Sequence, residues 1–74
     1  MEFDFSKLRG RIVEKYGSVS AFAQDIGLST AAASYRLNNK TPWTGQEMYR
    51  VIGPDCLDIA PGDISAYFFS PKVR

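Results

Sequence analysis

The chain has 74 residues, enough for one small domain with a single shell of buried side chains. Its hydrophobic content of 45% and aromatic content of 14% indicate a packed globule and argue against disorder. Nine Lys and Arg residues against eight Asp and Glu residues give a net charge of +1, so the net charge gives no indication of a nucleic-acid partner. The length also excludes an enzyme that needs a deep cleft between two lobes.

The single cysteine, Cys56, cannot form an internal disulfide or supply a zinc site, which favours a reducing, intracellular compartment. Its largely apolar sequence surroundings favour a small buried hydrophobic residue over a reactive thiol. No apolar run approaches the roughly 18 residues that a membrane span needs. The acidic N-terminus also lacks the basic-then-apolar order of a signal peptide. We therefore expect a cytoplasmic protein with no membrane partner.

The first predicted helix runs over residues 6–16. Asp4 or Ser6 can cap its start, and Gly17 is a natural left-handed stop. Spacings of three and four place one set of apolar residues on a single face. That set is Phe5, Leu8, Ile12 and Tyr16.

Two short helices follow, predicted over residues 19–26 and 30–38. Ser18 and Ser29 are suitable N-caps, and Gly27 ends the first of the two helices. The run of three alanines after Thr30 favours the second. The residues expected to face inward are Val19, Phe22, Ala23, Ile26, Leu28, Ala33 and Leu37.

A loop over residues 38–42 is predicted next, in which Asn39 can adopt a positive φ. Thr44 and Glu47 have the spacing of a capping box that opens a fourth helix, with Trp43 placed to pack on Met48. Gly53 and Pro54 then stop this helix. Its inner face would carry Met48, Val51 and Ile52.

The last helix is predicted to begin at Pro61, with Asp63 complementing the helix dipole. Ile64, Tyr67 and Phe68 fall on one side of it. The sequence thus predicts an all-α fold of five short helices in one domain over residues 1–69. Residues 70–74 are expected to form a flexible C-terminal tail.

The most informative pattern lies in residues 19–40. Ala23 is small where the next helix would cross, and Gly27 allows a turn that a Cβ would strain. Leu28, Ala33 and Leu37 would hold the third helix at a steep angle against the second. The polar face of the third helix is then free to enter a major groove.

This stretch, VSAFAQDIGLST followed by LNNK, resembles the helix-turn-helix of the phage repressor and Cro superfamily. The opening FDFSKLRGRI is similar to that of small Cro-like or modulator-of-repression proteins from temperate phages and prophages of Gram-positive bacteria. The resemblance implies a lambda-repressor-like DNA-binding domain with its helix-turn-helix at about residues 18–38. It also places the protein in the cytoplasm of a bacterial host.

The resemblance also implies site residues. Base-edge contacts fall on Thr30, Ala31, Ser34 and Tyr35. Phosphate contacts fall on Ser18, Arg36, Asn38, Asn39 and Lys40. The first set contains no Gln or Arg for bidentate readout of bases, so specificity would depend on methyl contacts and DNA shape. Arg36 has an alternative role, which is pairing with a local acid.

The partners implied are double-stranded operator DNA and a second copy of the chain, since few cations predict weak binding by a monomer. Three consecutive aromatics near the C-terminus are candidates for a dimer or partner contact, because one helix face cannot bury all three. They are Tyr67, Phe68 and Phe69. The alternative is that they close the bottom of the core.

Two functions fit these features. The first is a sequence-specific, Cro-like transcriptional regulator, acting as a repressor in a phage lysis–lysogeny switch. The alternative is an antirepressor or co-repressor that binds the phage repressor protein through the same helical face, which near-zero net charge and an alanine-rich surface suit. The sequence has no His, no glycine-rich phosphate loop and no cluster of metal ligands. We therefore expect no enzymatic activity, no metal and no cofactor.

Overall fold

The computed structural model describes residues 2–72, and it confirms the expected all-helical class, with five helices and no strand in that range. The helices are α1 (Ser6–Tyr16), α2 (Val19–Asp25), α3 (Thr30–Leu37), α4 (Gly45–Ile52) and α5 (Ile64–Phe68). A 3₁₀ turn, Pro61–Asp63, leads into α5. No helix among the described residues is both long and apolar enough to cross a bilayer.

One hydrophobic core joins all five helices. Helix α2 packs against α1 and α3, and α1 also packs against α5. The largest fully buried side chains come from α1, α2, α4, α5 and the segment that follows α4. They are Leu8, Ile12, Phe22, Val51, Leu57 and Phe68. Because the buried residues on α1 and α2 were predicted from helical spacing, the core of the N-terminal half follows directly from the sequence.

The predicted caps of the middle helices are confirmed. The Ser18 hydroxyl accepts the Ala21 N–H at 3.2 Å, and the Ser29 hydroxyl accepts the Ala32 N–H at 3.0 Å. Thr44 begins α4 with the complete capping box that its sequence spacing predicts. Helices α2 and α3 each end one residue earlier than predicted, at Asp25 and Leu37.

Backbone conformation agrees with the predicted stops and differs from the prediction at Asp58. Gly17 and Gly27 have φ of 82° and 79°, and Asn39 has φ of 64°, as the sequence predicts. Asp58, with φ of 53°, was not predicted.

The two ends of the described chain lie side by side. Phe3 and Pro71 form an isolated antiparallel bridge. The Asp4 N–H donates to the Ser70 carbonyl at 2.7 Å, and the Lys72 N–H donates to the Glu2 carbonyl at 3.2 Å. The first three residues of the segment predicted as a flexible tail therefore make backbone contacts. Residues 73 and 74 lie outside the described residues.

The Asn39 side chain holds the N-terminal segment from the other side. Its Nδ2 donates to the Phe3 carbonyl at 2.8 Å, and its Oδ1 accepts the Phe3 N–H at 2.9 Å. The amide thus satisfies both backbone groups of one extended residue, as a neighbouring strand would do. Asn39 therefore anchors the N-terminal segment to the loop that follows α3.

The two hydrogen bonds between the Asn39 amide and the Phe3 backbone are called here the Asn39 clasp. Their contribution can be separated from that of the positive φ at Asn39. Asn39→Gly keeps the positive φ accessible and removes both hydrogen bonds, so we expect a loss of about 1–2 kcal/mol in unfolding free energy. Asn39→Ala adds left-handed strain and should cost about 1 kcal/mol more. Urea titrations measure both values, and a Gly variant as stable as the natural chain would show that the clasp contributes nothing.

Candidate functional site

The residues predicted to contact bases share one surface of α3. This surface, called here the α3 face, consists of Thr30, Ala31, Ser34 and Tyr35. All are exposed except Ser34, which is half-buried. On the opposite side of the helix Ala33 and Leu37 are buried in the core. The helix is therefore anchored on one side and open to a partner on the other.

The α3 face is uncharged. The Thr30 hydroxyl donates to the Ser20 hydroxyl at 3.1 Å, which ties the start of α3 to the first turn of α2. Ala31 offers a methyl group, and the Tyr35 side chain is 51% exposed. Methyl groups, hydroxyls and one aromatic ring are the contacts available to a partner.

The structure places Arg36, the one cation within α3, against a carboxylate of α4. Its Nε donates to Glu47 Oε1 at 2.8 Å, and a second guanidinium nitrogen lies 2.8 Å from Glu47 Oε2. A third donates to the Ala32 carbonyl at 3.0 Å. Only 14% of the Arg36 side chain and 18% of the Glu47 side chain are exposed. The structure thus has the local-acid alternative, and a phosphate would have to compete with a bidentate, mostly buried pair.

Glu47 has two roles at once. Its Oε1 accepts the Thr44 N–H at 2.9 Å as part of the capping box, while the same carboxylate holds Arg36. Burial raises the pKa of Glu47, but the Arg36 hydrogen bond and charge, together with the Thr44 N–H, outweigh burial and hold the pKa below its usual value. One carboxylate therefore starts α4 and fixes α4 to α3.

Both asparagine side chains of the loop after α3 make hydrogen bonds within the protein. Asn39, predicted to contact phosphate, instead binds the Phe3 backbone. Asn38 is exposed, and its Oδ1 accepts a 3.3 Å hydrogen bond from Arg9. Lys40 is exposed and makes no ion pair within residues 2–72. A phosphate contact stays a prediction for Asn38 and Lys40.

The Ser18 side chain also makes a hydrogen bond within the protein. Its hydroxyl caps α2, which is a structural role the sequence also predicted. The free N–H groups at the start of α2 remain the basis for its predicted phosphate contact. Helix α2 carries no cation that could strengthen such a contact, since its one charged side chain is Asp25.

The three C-terminal aromatics have different environments. Phe68, offered as a partner contact, is 2% exposed and belongs to the core, which corrects that assignment. Tyr67 is half-buried, with the Lys7 ammonium 4.9 Å from its ring centroid. Phe69 is 47% exposed and meets Phe3 edge-on at 5.7 Å. One face cannot bury all three, as expected, and Phe69 is the ring that remains available.

Two features of this region were not predicted. Arg9 reaches across from α1 to Asn38, which adds a cation beside the end of α3. Tyr16 donates to Asp25 at 2.6 Å, and its oxygen lies 3.2 Å from the Cys56 sulfur. Burial raises the pKa of the Cys56 thiol, in agreement with an unreactive role. No spacing rule in the sequence signals either contact, because the partners belong to different elements of the chain.

The Arg36–Glu47 pair predicts a pH dependence. Glu47→Gln should lower the unfolding free energy by about 1–3 kcal/mol at pH 7, because it leaves the Arg36 charge without its partner. Since the folded-state pKa is depressed, this advantage of Glu47 is complete above the ordinary value of 4.5 and is lost as pH falls through the lower folded-state value. Denaturant titrations from pH 7 to pH 3 measure the difference.

The matched control is Glu14→Gln, which removes an exposed pair with Arg11 in which Glu14 is 64% exposed. Such a pair contributes about 0–1 kcal/mol. A Glu47→Gln effect that is equally small, or one that persists unchanged at pH 3, would contradict the account of the pair.

The chain matches known proteins over its whole length. The solution structure of the modulator of repression (MOR) of the temperate bacteriophage TP901-1 from Lactococcus lactis is 39% identical and superposes with a TM-score of 0.79. The match covers 100% of this chain and 97% of that chain. The expected similarity to a phage regulatory protein is thereby confirmed, while the narrower assignment to Cro-type DNA-binding regulators stays a prediction.

No curated protein matches the chain significantly. A family profile described as "Protein of unknown function (DUF739)" matches residues 1–71. With nearly every residue covered, the chain belongs to the DUF739 family.

Proposed function

We propose that this protein is a modulator of a phage repressor, acting by direct contact with the repressor protein through the α3 face. The cognate repressor is the one encoded by the same phage or prophage. The proposal is supported by full-length similarity to a protein named as a modulator of repression. It assigns the chain a regulatory binding role in the cytoplasm of a bacterial host, with no catalysis and no cofactor.

The observation that carries the proposal is the neutralisation of Arg36 by Glu47. Residues 26–46 contain no Asp or Glu and only two cations, Arg36 and Lys40. With Arg36 paired, the α3 face offers apolar and hydroxyl groups with no charge of its own. Protein interfaces have cores depleted of charge and enriched in aromatics such as Tyr35, whereas DNA affinity depends on cations that neutralise phosphates.

Cro-like DNA binding is the second candidate, and the exposure of Thr30, Ala31 and Tyr35 favours it. Those positions are open to a groove, and Lys40 is exposed beside them. The remaining cations of this region, Lys40 and Arg9, would release on the order of two counterions per protomer. Binding by a single copy would therefore be weak, with a shallow dependence on salt.

Calorimetric titration of this chain into the purified cognate repressor tests the proposal. We expect saturable binding that weakens about tenfold or more, equivalent to about 1.4 kcal/mol, in the Ala31→Glu and Tyr35→Ala variants. Ala31→Glu places a charge in an uncharged contact, and Tyr35→Ala removes its largest apolar group. Tyr49→Ala is the matched control, since Tyr49 is 80% exposed but lies on α4, away from the α3 face.

Gel shifts with operator DNA separate the two candidates. They use this chain alone, the repressor alone and both together, at two salt concentrations. The proposal predicts no shift by this chain alone and an altered shift when the repressor is present. A salt-sensitive shift by this chain alone, combined with no calorimetric binding to the repressor, would overturn the proposal in favour of the Cro-like function.

A further inference from the structure

An aromatic cleft lies beside the loop that follows α3. It has a volume of about 280 Å³. Five of the residues that line it are aromatic, and none of its lining residues is charged. The aromatic ones are Phe3, Phe5, Trp43, Phe68 and Phe69. They come from the N-terminal segment, the α3–α4 loop and the end of α5. The Asn39 hydrogen bonds and the Phe3–Pro71 bridge help to hold these segments together.

The rings are arranged edge to face. Trp43 is 5.5 Å from Phe68 and 6.5 Å from Phe5, between ring centroids. Phe3 is 5.7 Å from Phe69, and Phe69 is nearly half exposed. An apolar cavity of about 150 Å³ suffices to bind benzene, so this cleft has room for one or two apolar side chains. Phe69 offers an aromatic edge to any group that enters.

The packing of the cleft is incomplete. The Trp43 Nε1–H is buried and has no hydrogen-bond partner within residues 2–72. Buried donors almost always find an acceptor, so an orphaned one identifies a place where the chain does not complete its own contacts. The Asn39 amide cannot readily serve, because it already binds both backbone groups of Phe3.

The cleft and the α3 face are linked through the backbone of the loop that follows α3. The Tyr35 carbonyl accepts the N–H groups of Lys40 at 2.8 Å and Thr41 at 3.3 Å, and Thr41 lines the cleft. The last turn of α3 and one wall of the cleft are therefore joined by direct backbone contacts. Neither the residues of the α3 face nor those that line the cleft are charged, and the exposed Lys40 lies between the two in the chain. A largely apolar partner surface fits both.

From this geometry we infer that the cleft is an anchor site for one or two apolar side chains of the repressor that contacts the α3 face. The inference rests on the proposed function and adds a second contact to it. Large side chains that fill preformed pockets supply most of the energy of protein interfaces, whereas flat polar contacts supply little. The cleft would add affinity to the contact that the α3 face makes.

Trp43 is the single tryptophan of the chain, which gives a direct readout. In a ¹⁵N-labelled sample its indole N–H gives one cross-peak, and unlabelled repressor contributes none. We expect this cross-peak to move on titration with repressor and to saturate at the same ratio as calorimetric binding. Phe69→Ala should weaken repressor binding about tenfold while its melting temperature stays near that of the natural chain, because Phe69 lies at the rim.

Tyr49→Ala serves again as the control, since Tyr49 lines a separate groove with Asp25 and Asp55. Repressor binding with an unmoved indole cross-peak and an unchanged affinity for Phe69→Ala would overturn the anchor site and leave the proposed function intact. A cross-peak that moves when this chain alone is concentrated would overturn it in favour of a second copy as occupant. Absence of any repressor binding would overturn the proposed function and, with it, this occupant.

Discussion

The ion pair between Arg36 and Glu47 determines what α3 presents to a partner. Glu47 forms the capping box with Thr44 at the start of α4. The two oxygens of the same carboxylate contact Nε and one terminal nitrogen of the Arg36 guanidinium. Because both side chains are mostly buried, releasing either one would leave a desolvated charge unpaired. The pair therefore fixes α3 to α4 and removes the one charge that α3 could offer to DNA.

The contacts at the chain ends have a parallel effect on the surface. Asn39 and the Phe3–Pro71 bridge hold the N-terminal segment between the α3–α4 loop and the residues after α5. Aromatic rings from three distant parts of the chain thereby line one cleft, next to the loop that follows α3. The uncharged α3 face and the aromatic cleft are the two surfaces on which the proposed contact with a protein depends. Full-length similarity to a phage modulator of repression agrees with this chemistry.

Local rules predicted the helices well, because their signals lie within a few residues of one another. The Ser18 and Ser29 caps, the Thr44 capping box and the positive φ of Asn39 all follow from side chains that bond to nearby backbone. Helical spacing likewise gave the buried faces of α1 and α2. The α3 face was predicted from spacing and a resemblance, and its exposure agrees.

Contacts between elements could not be predicted in the same way. The sequence left two partners open for Arg36, a phosphate or a nearby acid. No spacing between Arg36 and the acidic residues identified Glu47 as that acid. Helical spacing placed Phe68 with Ile64 on one side of the last helix, but only the packing of α5 on α1 shows that this side enters the core and leaves Phe69 exposed. The pairing of residues 70–72 with the N-terminal segment depends on a long-range approach that composition does not encode.

The most direct test of this account follows the Arg36 Nε–H signal and the backbone signals of α3 in two separate NMR titrations. One uses the cognate repressor and the other an operator duplex. The account predicts that the α3 signals shift with the repressor, while the Arg36 signal keeps the position set by Glu47 in both titrations. Release of Arg36 from Glu47 on addition of DNA, with α3 shifting only then, would contradict it.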